Sequence, residues 1–114
     1  MLRLVAFLFV ALSGLAMAET LRLAPGADTT FRLSENPSTG YSWRIDAAAS
    51  AGLDHVAIID RGHQRGENLP GAPGAHGWTI RALTSGKATI HFVHQRPWEP
   101  APVETRDVVV EIGG

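Results

Sequence analysis

Polar and apolar residues alternate with a period of two in short stretches from residue 20 to residue 112, and no stretch sustains a helical period. Residues 20–23 set Leu21 and Leu23 against Thr20 and Arg22, and residues 29–34 set Phe31 and Leu33 against Thr30 and Arg32. Residues 41–46 place Tyr41, Trp43 and Ile45 on one side, and residues 53–59 are mixed apolar apart from His55. Residues 78–83 align Trp78, Ile80 and Ala82, and residues 87–94 align Ala88, Ile90, Phe92 and His94. Residues 105–112 align Val108, Val110 and Ile112. Successive side chains of a strand point to opposite faces, so each stretch reads as a strand with one buried face. Pro25-Gly26, Asn36-Pro37, Ser50-Ala51-Gly52, Ser85-Gly86 and residues 97–102 punctuate them as turns. Residues 47–51 have room for one helical turn. This pattern predicts an all-β chain, an immunoglobulin-like β-sandwich of about seven antiparallel strands, with an open barrel as the topological alternative. Parity sends Trp43 and Trp78 to its core.

Residues 1–18 stand apart. Arg3 precedes an apolar run at residues 4–12, and Ala16-Met17-Ala18 has the small-x-small form of a cleavage site. The expectation is a signal peptide cut after Ala18, leaving residues 19–114 as a single exported domain, periplasmic or secreted. The apolar run is short for a membrane anchor. The chain has no cysteine. That excludes a thiol nucleophile, a thiolate metal site, a redox role and a lipid-bearing cysteine. An exported domain without disulfides must rest on packing. Ten Lys and Arg face eleven Asp and Glu, for a net charge of −1. No basic cluster offers a footprint for nucleic acid or, once the signal is cut, for a membrane surface.

Three Pro- and Gly-rich segments fall on alternate connections between the expected strands: residues 36–41, 71–78 and 96–100. Strands that alternate up and down bring alternate connections to one end. The three should therefore form one surface on a rigid scaffold, which is how a binding module is built. In the first, Pro37 fixes its own φ and holds Asn36 extended. Gly40 permits a positive φ, and Asn36, Ser38 and Thr39 can bond their own backbone. The middle connection, residues 60–77, is rich in glycine and lacks an apolar pattern. It reads as a long irregular loop whose second half is a hairpin tip or a hinged flap. In the third, Trp98 sits among Pro97, Pro100 and Pro102, too constrained to reach the core. An exposed Trp beside Arg96 has the composition of a binding hot spot.

Asn36-Pro37-Ser38-Thr39-Gly40-Tyr41, the Gly-rich middle segment and Arg96-Pro97-Trp98 together resemble the loop motifs of the chagasin family. These are small inhibitors of papain-like cysteine proteases. The resemblance implies an immunoglobulin-like sandwich that presents its three loops as a wedge. Asn36, Pro37, Ser38, Thr39, Gly40 and Tyr41 would enter the protease cleft, with Thr39 nearest the catalytic cysteine. Gly71, Ala72, Pro73, Gly74, Ala75 and His76 would grip one side of it. Arg96, Pro97 and Trp98 would hold the other. Inhibition would be reversible and non-covalent, by a monomer that needs no cofactor. Ser38 departs from the Thr usual in the family's first motif, keeping the hydroxyl and losing a methyl.

Other chemistries have less support in the residues. No Gly-x-Ser-x-Gly elbow or comparable nucleophile setting argues for an enzyme. A periplasmic metal- or ligand-binding sandwich is the alternative function. His91 and His94 differ by three along one strand and so face opposite sides, whereas His63 and His76 lie in the middle connection and could approach each other. A copper site would lack its soft ligands, with no cysteine present and Met17 in the cleaved segment. A carbohydrate platform would have only Trp98 to stack on.

Overall fold

The computed structural model describes residues 16–66 and 73–113. Seven strands run through the described residues. They are β1 (Ala16–Leu23), β2 (Asp28–Glu35), β3 (Ser42–Ile45), β4 (Val56–Gln64), β5 (Gly74–Ala82), β6 (Gly86–Gln95) and β7 (Glu104–Ile112). They form two sheets, β1-β7-β6-β3 and β2-β5-β4. The inward parity read from the sequence holds. Phe31, Leu33, Trp43, Trp78, Ile80, Ala82, Ala88, Ile90, Phe92, Val108, Val110 and Ile112 join Val56 in one buried core. At its centre Phe92 meets Trp78 edge-on at 4.7 Å between ring centroids and Phe31 at 5.3 Å. Ala47–Ala49 makes the expected helical turn, a 3-10 turn capped by the Asp46 side chain.

Antiparallel pairing throughout is corrected at one place. β1 pairs with β7 in parallel, from Ala16 opposite Thr105 to Leu23 opposite Ile112. In a chain whose strands alternate in direction, the first and the seventh run the same way. Setting them side by side therefore makes a parallel pair.

The middle connection is also corrected. Half of residues 60–77 is strand and not irregular loop, because β4 continues to Gln64 and β5 begins at Gly74. Leu53–His55, expected at the start of a strand, is a 3-10 turn. A bulge between Asp60 and Gly62 shifts the register of β4 against β5 by one residue. Gly62 takes φ +75° there, and its N–H donates to Asp60 Oδ1 at 2.8 Å. Gly71 and Ala72 lie outside the described residues, as do residues 1–15 of the expected signal peptide.

Register puts the three distinctive connections at one end. Glu35 is opposite Gly74, Gln64 opposite Ala75, Ser42 opposite Gln95 and His94 opposite Glu104. The β2–β3, β4–β5 and β6–β7 connections therefore leave from the same edge of the sandwich.

Candidate functional site

The β2–β3 loop is a 3-10 turn, Pro37–Thr39, closed on itself. Asn36 is extended (φ −123°, ψ 95°), as the following proline requires. Its Oδ1 accepts from Ser38 Oγ at 2.7 Å and from Ser38 N at 3.3 Å. Thr39 Oγ1 donates to the Asn36 carbonyl at 2.7 Å and accepts from Tyr41 N at 3.4 Å. Gly40 ends the turn at φ +85°, in the left-handed region that favours glycine. The loop's polar side chains are thus engaged within the loop. Little conformational entropy remains to be lost when the tip meets a partner.

The β6–β7 loop is braced in the same way. Gln95 Nε2 donates to the Glu99 carbonyl at 2.8 Å, and Glu99 N donates to the Arg96 carbonyl at 3.1 Å. Trp98 is 70% exposed at its tip. Arg96 then welds the two loops together. Its Nε donates to the Thr39 carbonyl at 2.9 Å, and its guanidinium lies 4.2 Å from the Tyr41 ring centroid and 5.8 Å from that of Trp98. A cation lying over two aromatic faces is held by their quadrupoles as well as by packing. Residues 36–41 and Arg96, Pro97 and Trp98, which the sequence placed in one surface, are brought together as expected.

The hairpin behind them contributes less directly. Pro73 is exposed, but Gly74, Ala75 and His76 belong to β5. The His76 ring turns into the sandwich and stacks on Trp78 at 4.2 Å with 12° between planes. His76 was expected as a loop contact for a partner, and its side chain is instead committed inward. His63, its cross-strand partner, packs over Gly74 so closely that a Cβ there would stand 2.9 Å from the ring.

The residue that sequence reasoning missed is Glu35. It is 3% exposed, the only buried charged residue among those described. Its carboxylate accepts from Trp43 N at 2.7 Å and meets Nδ1 of His63 at 2.9 Å and Nδ1 of His76 at 3.1 Å. His76 Nε2 also reaches Asp60 Oδ1 at 2.5 Å. Its signal was its parity, since Glu35 continues the inward face of Phe31 and Leu33. Beside this network His94 stacks flat on Trp43, 4.5 Å between centroids. Burial holds its pKa below the ordinary histidine value, against the opposing charges of Glu104 and Glu35. His63 and His76 do approach each other, as foreseen, but on paired strands rather than in a loop. Among the described residues no three His, Cys, Asp or Glu side chains are grouped to hold a metal ion.

Residues 22–112 match the family model described as Chagasin family peptidase inhibitor I42. Amoebiasin-1 of Entamoeba histolytica is 31% identical over 81 residues, which cover 71% of this chain and 76% of that protein. The crystal structure of the cysteine protease inhibitor EhICP2 from Entamoeba histolytica superposes with a TM-score of 0.66 at 24% identity, over 86% of this chain and 94% of that one. The structure of PbICP-C in complex with falcipain-2 gives 0.68 at 19% identity, over 86% and 89%. These two superpositions establish a shared sandwich fold.

Proposed function

The chain belongs to the chagasin family of peptidase inhibitors, and from that premise we propose that it inhibits papain-like cysteine proteases by occluding their active-site cleft. The family is one of inhibitors, and the chain is not an enzyme. The observation that carries the finer reading is the fused edge, in which Arg96 joins the Thr39 carbonyl, Tyr41 and Trp98 into one stiff projection. A projection of that kind fills a cleft without being ordered by it. Thr39 leads, nearest the enzyme's cysteine. Trp98 packs its exposed indole on an apolar wall of the cleft, and Pro73, at the head of β5, flanks the other side.

Inhibition on this reading is reversible and leaves the inhibitor whole. Residues 37–39 form a tight turn closed by a left-handed Gly40, not an extended peptide. A cysteine protease needs the scissile carbonyl in line with its thiolate, and a turn locked by its own hydrogen bonds does not supply that geometry. The partner is a protein and the active form a monomer. The signal peptide, cut after Ala18, sends that form out of the cytoplasm.

The experiment is titration of residues 19–114 against papain with a fluorogenic peptide at mildly acidic pH, with EDTA present. Dose-dependent inhibition that reverses on dilution, with the inhibitor intact by mass spectrometry, is the expected result. A folded sample that leaves both papain and a cathepsin L-like enzyme fully active at micromolar concentration overturns the reading.

A further inference from the structure

We propose that Glu35 is the positioning residue of the binding edge, its buried carboxylate fixing the β2–β3 loop to the β4–β5 hairpin through His63 and His76. The functional part of this inference rests on the inhibitor reading above; the mechanical part does not.

Glu35 is the last residue of β2 and immediately precedes Asn36, the first residue of the loop. Its side chain is 2% exposed. Burying a carboxylate is costly unless its oxygens are satisfied, so a buried Glu at a sheet end needs a compensating role. Here it has three partners on three other strands. Oε2 takes Trp43 N of β3 and faces His76 Nδ1 of β5, while Oε1 faces His63 Nδ1 of β4. β3 belongs to one sheet and β2, β4 and β5 to the other. One carboxylate therefore joins the two sheets at the end where the loops leave.

A carboxylate oxygen accepts, and an imidazole N–H at Nδ1 of His63 or His76 can donate to it. For His76 the second nitrogen, Nε2, faces another carboxylate oxygen, Asp60 Oδ1. Glu35, His76 and Asp60 form a chain from the interior to the exposed edge strand β4, and Asp60 also holds the bulge at Gly62. An apolar residue at position 35 would fill the space but would leave both imidazoles and the Trp43 amide without their acceptor.

The loop and the hairpin are two arms of one wedge, and their separation decides whether both reach the cleft at once. A protein whose arms are uncoupled spends only a fraction of its time in the competent arrangement. Its apparent affinity falls by that fraction.

The test uses Glu35→Gln, which keeps an acceptor for Trp43 N and sets its amide N–H groups against an imidazole N–H. As a control, Val110→Ala opens a cavity in the core near the opposite end of the sandwich, where Val110 pairs with Ala88. His63→Phe keeps a ring over Gly74 and removes one donor, and serves if Glu35→Gln does not fold. For Glu35→Gln the association rate with papain falls about tenfold, and for His63→Phe about threefold, while Val110→Ala keeps the wild-type rates. Equal rates in the folded Glu35 and His63 variants, or an equal loss in Val110→Ala, overturn the proposal. Hydrogen exchange on the free protein provides the independent arm. Faster exchange in both 37–41 and 73–77 supports the coupling even if wild type fails to inhibit papain, in which case only the functional reading falls. A change confined to the Trp43 amide overturns the coupling itself.

Discussion

Gly40 faces the indole of Trp98 so closely that a Cβ at position 40 would stand 2.7 Å from Cη2. Two loops separated by about half of the chain therefore meet here as well as through Arg96, and a single methyl group tests the contact. Gly40→Ala is strained twice, by φ +85° and by the indole. The expected cost is about 1–2 kcal/mol of stability. Displacement of Trp98 should also raise the inhibition constant for papain. Chemical denaturation and inhibition assays on one sample check both, and an unchanged inhibition constant would separate Trp98 from the β2–β3 loop in function.

Trp98→Ala should act on binding alone. With 70% of the residue exposed, the fold loses little when the indole is removed. An interface aromatic of this kind is worth about 2 kcal/mol or more, roughly a thirtyfold rise in inhibition constant. Wild-type potency in the variant would take Trp98 off the contact surface.

Trp43→Ala should do the reverse. Trp43 is 4% exposed, its Nε1 donates to the Ser34 carbonyl at 2.9 Å, and its ring carries the stacked His94. Removing it should cost about 3–5 kcal/mol of stability. Urea unfolding measures this directly, and a variant with the wild-type midpoint would show that the indole is not part of the core's support.

His94 gives the fold a pH dependence of known sign. Burial lowers its pKa from the ordinary 6.5, with Glu104 and Glu35 acting the other way. The unfolded chain therefore binds this proton at a higher pH than the native one does. Between 6.5 and the lower native value, the unfolded state holds more protons, so stability declines as the medium is acidified. The contribution of His94 is complete above that window and lost on passing down through it. His94→Phe keeps an aromatic ring on Trp43 and removes the titration. Its melting temperature should fall less than that of wild type between neutral and mildly acidic pH. Parallel curves for the two proteins would rule His94 out as the source.

The legible part of the structure is the part governed by parity. Trp43, Trp78, Ile80, Ile90, Phe92 and Val110 each sit where strict alternation puts them, because apolar side chains on a two-residue period have only one face to hide. The loops were legible for a different reason. Pro37, Gly40 and the prolines around Trp98 restrict backbone angles locally, and those restrictions survive folding. The extensions of β4 and β5 were not legible, since residues 60–64 and 74–77 offer glycine, histidine, arginine and aspartate in place of an apolar period. There the interior is polar. Glu35 stands where the pattern calls for an aliphatic side chain, and the histidines that complete it lie on strands distant in sequence. The parallel pair was hidden too, because the side chains of β1 carry no mark of the direction of their neighbour.

The parallel pairing of β1 with β7 also orders the steps of folding. β7 lies between β1 and β6, so the first strand has no place in its sheet until residues 104–112 are available. That sheet cannot be completed progressively from the N-terminus as the chain is synthesised. The contact that closes it spans nearly the whole described sequence, and loops of that length are slow to close. In a nascent chain of this topology the four-stranded sheet stays incomplete until β7 is made.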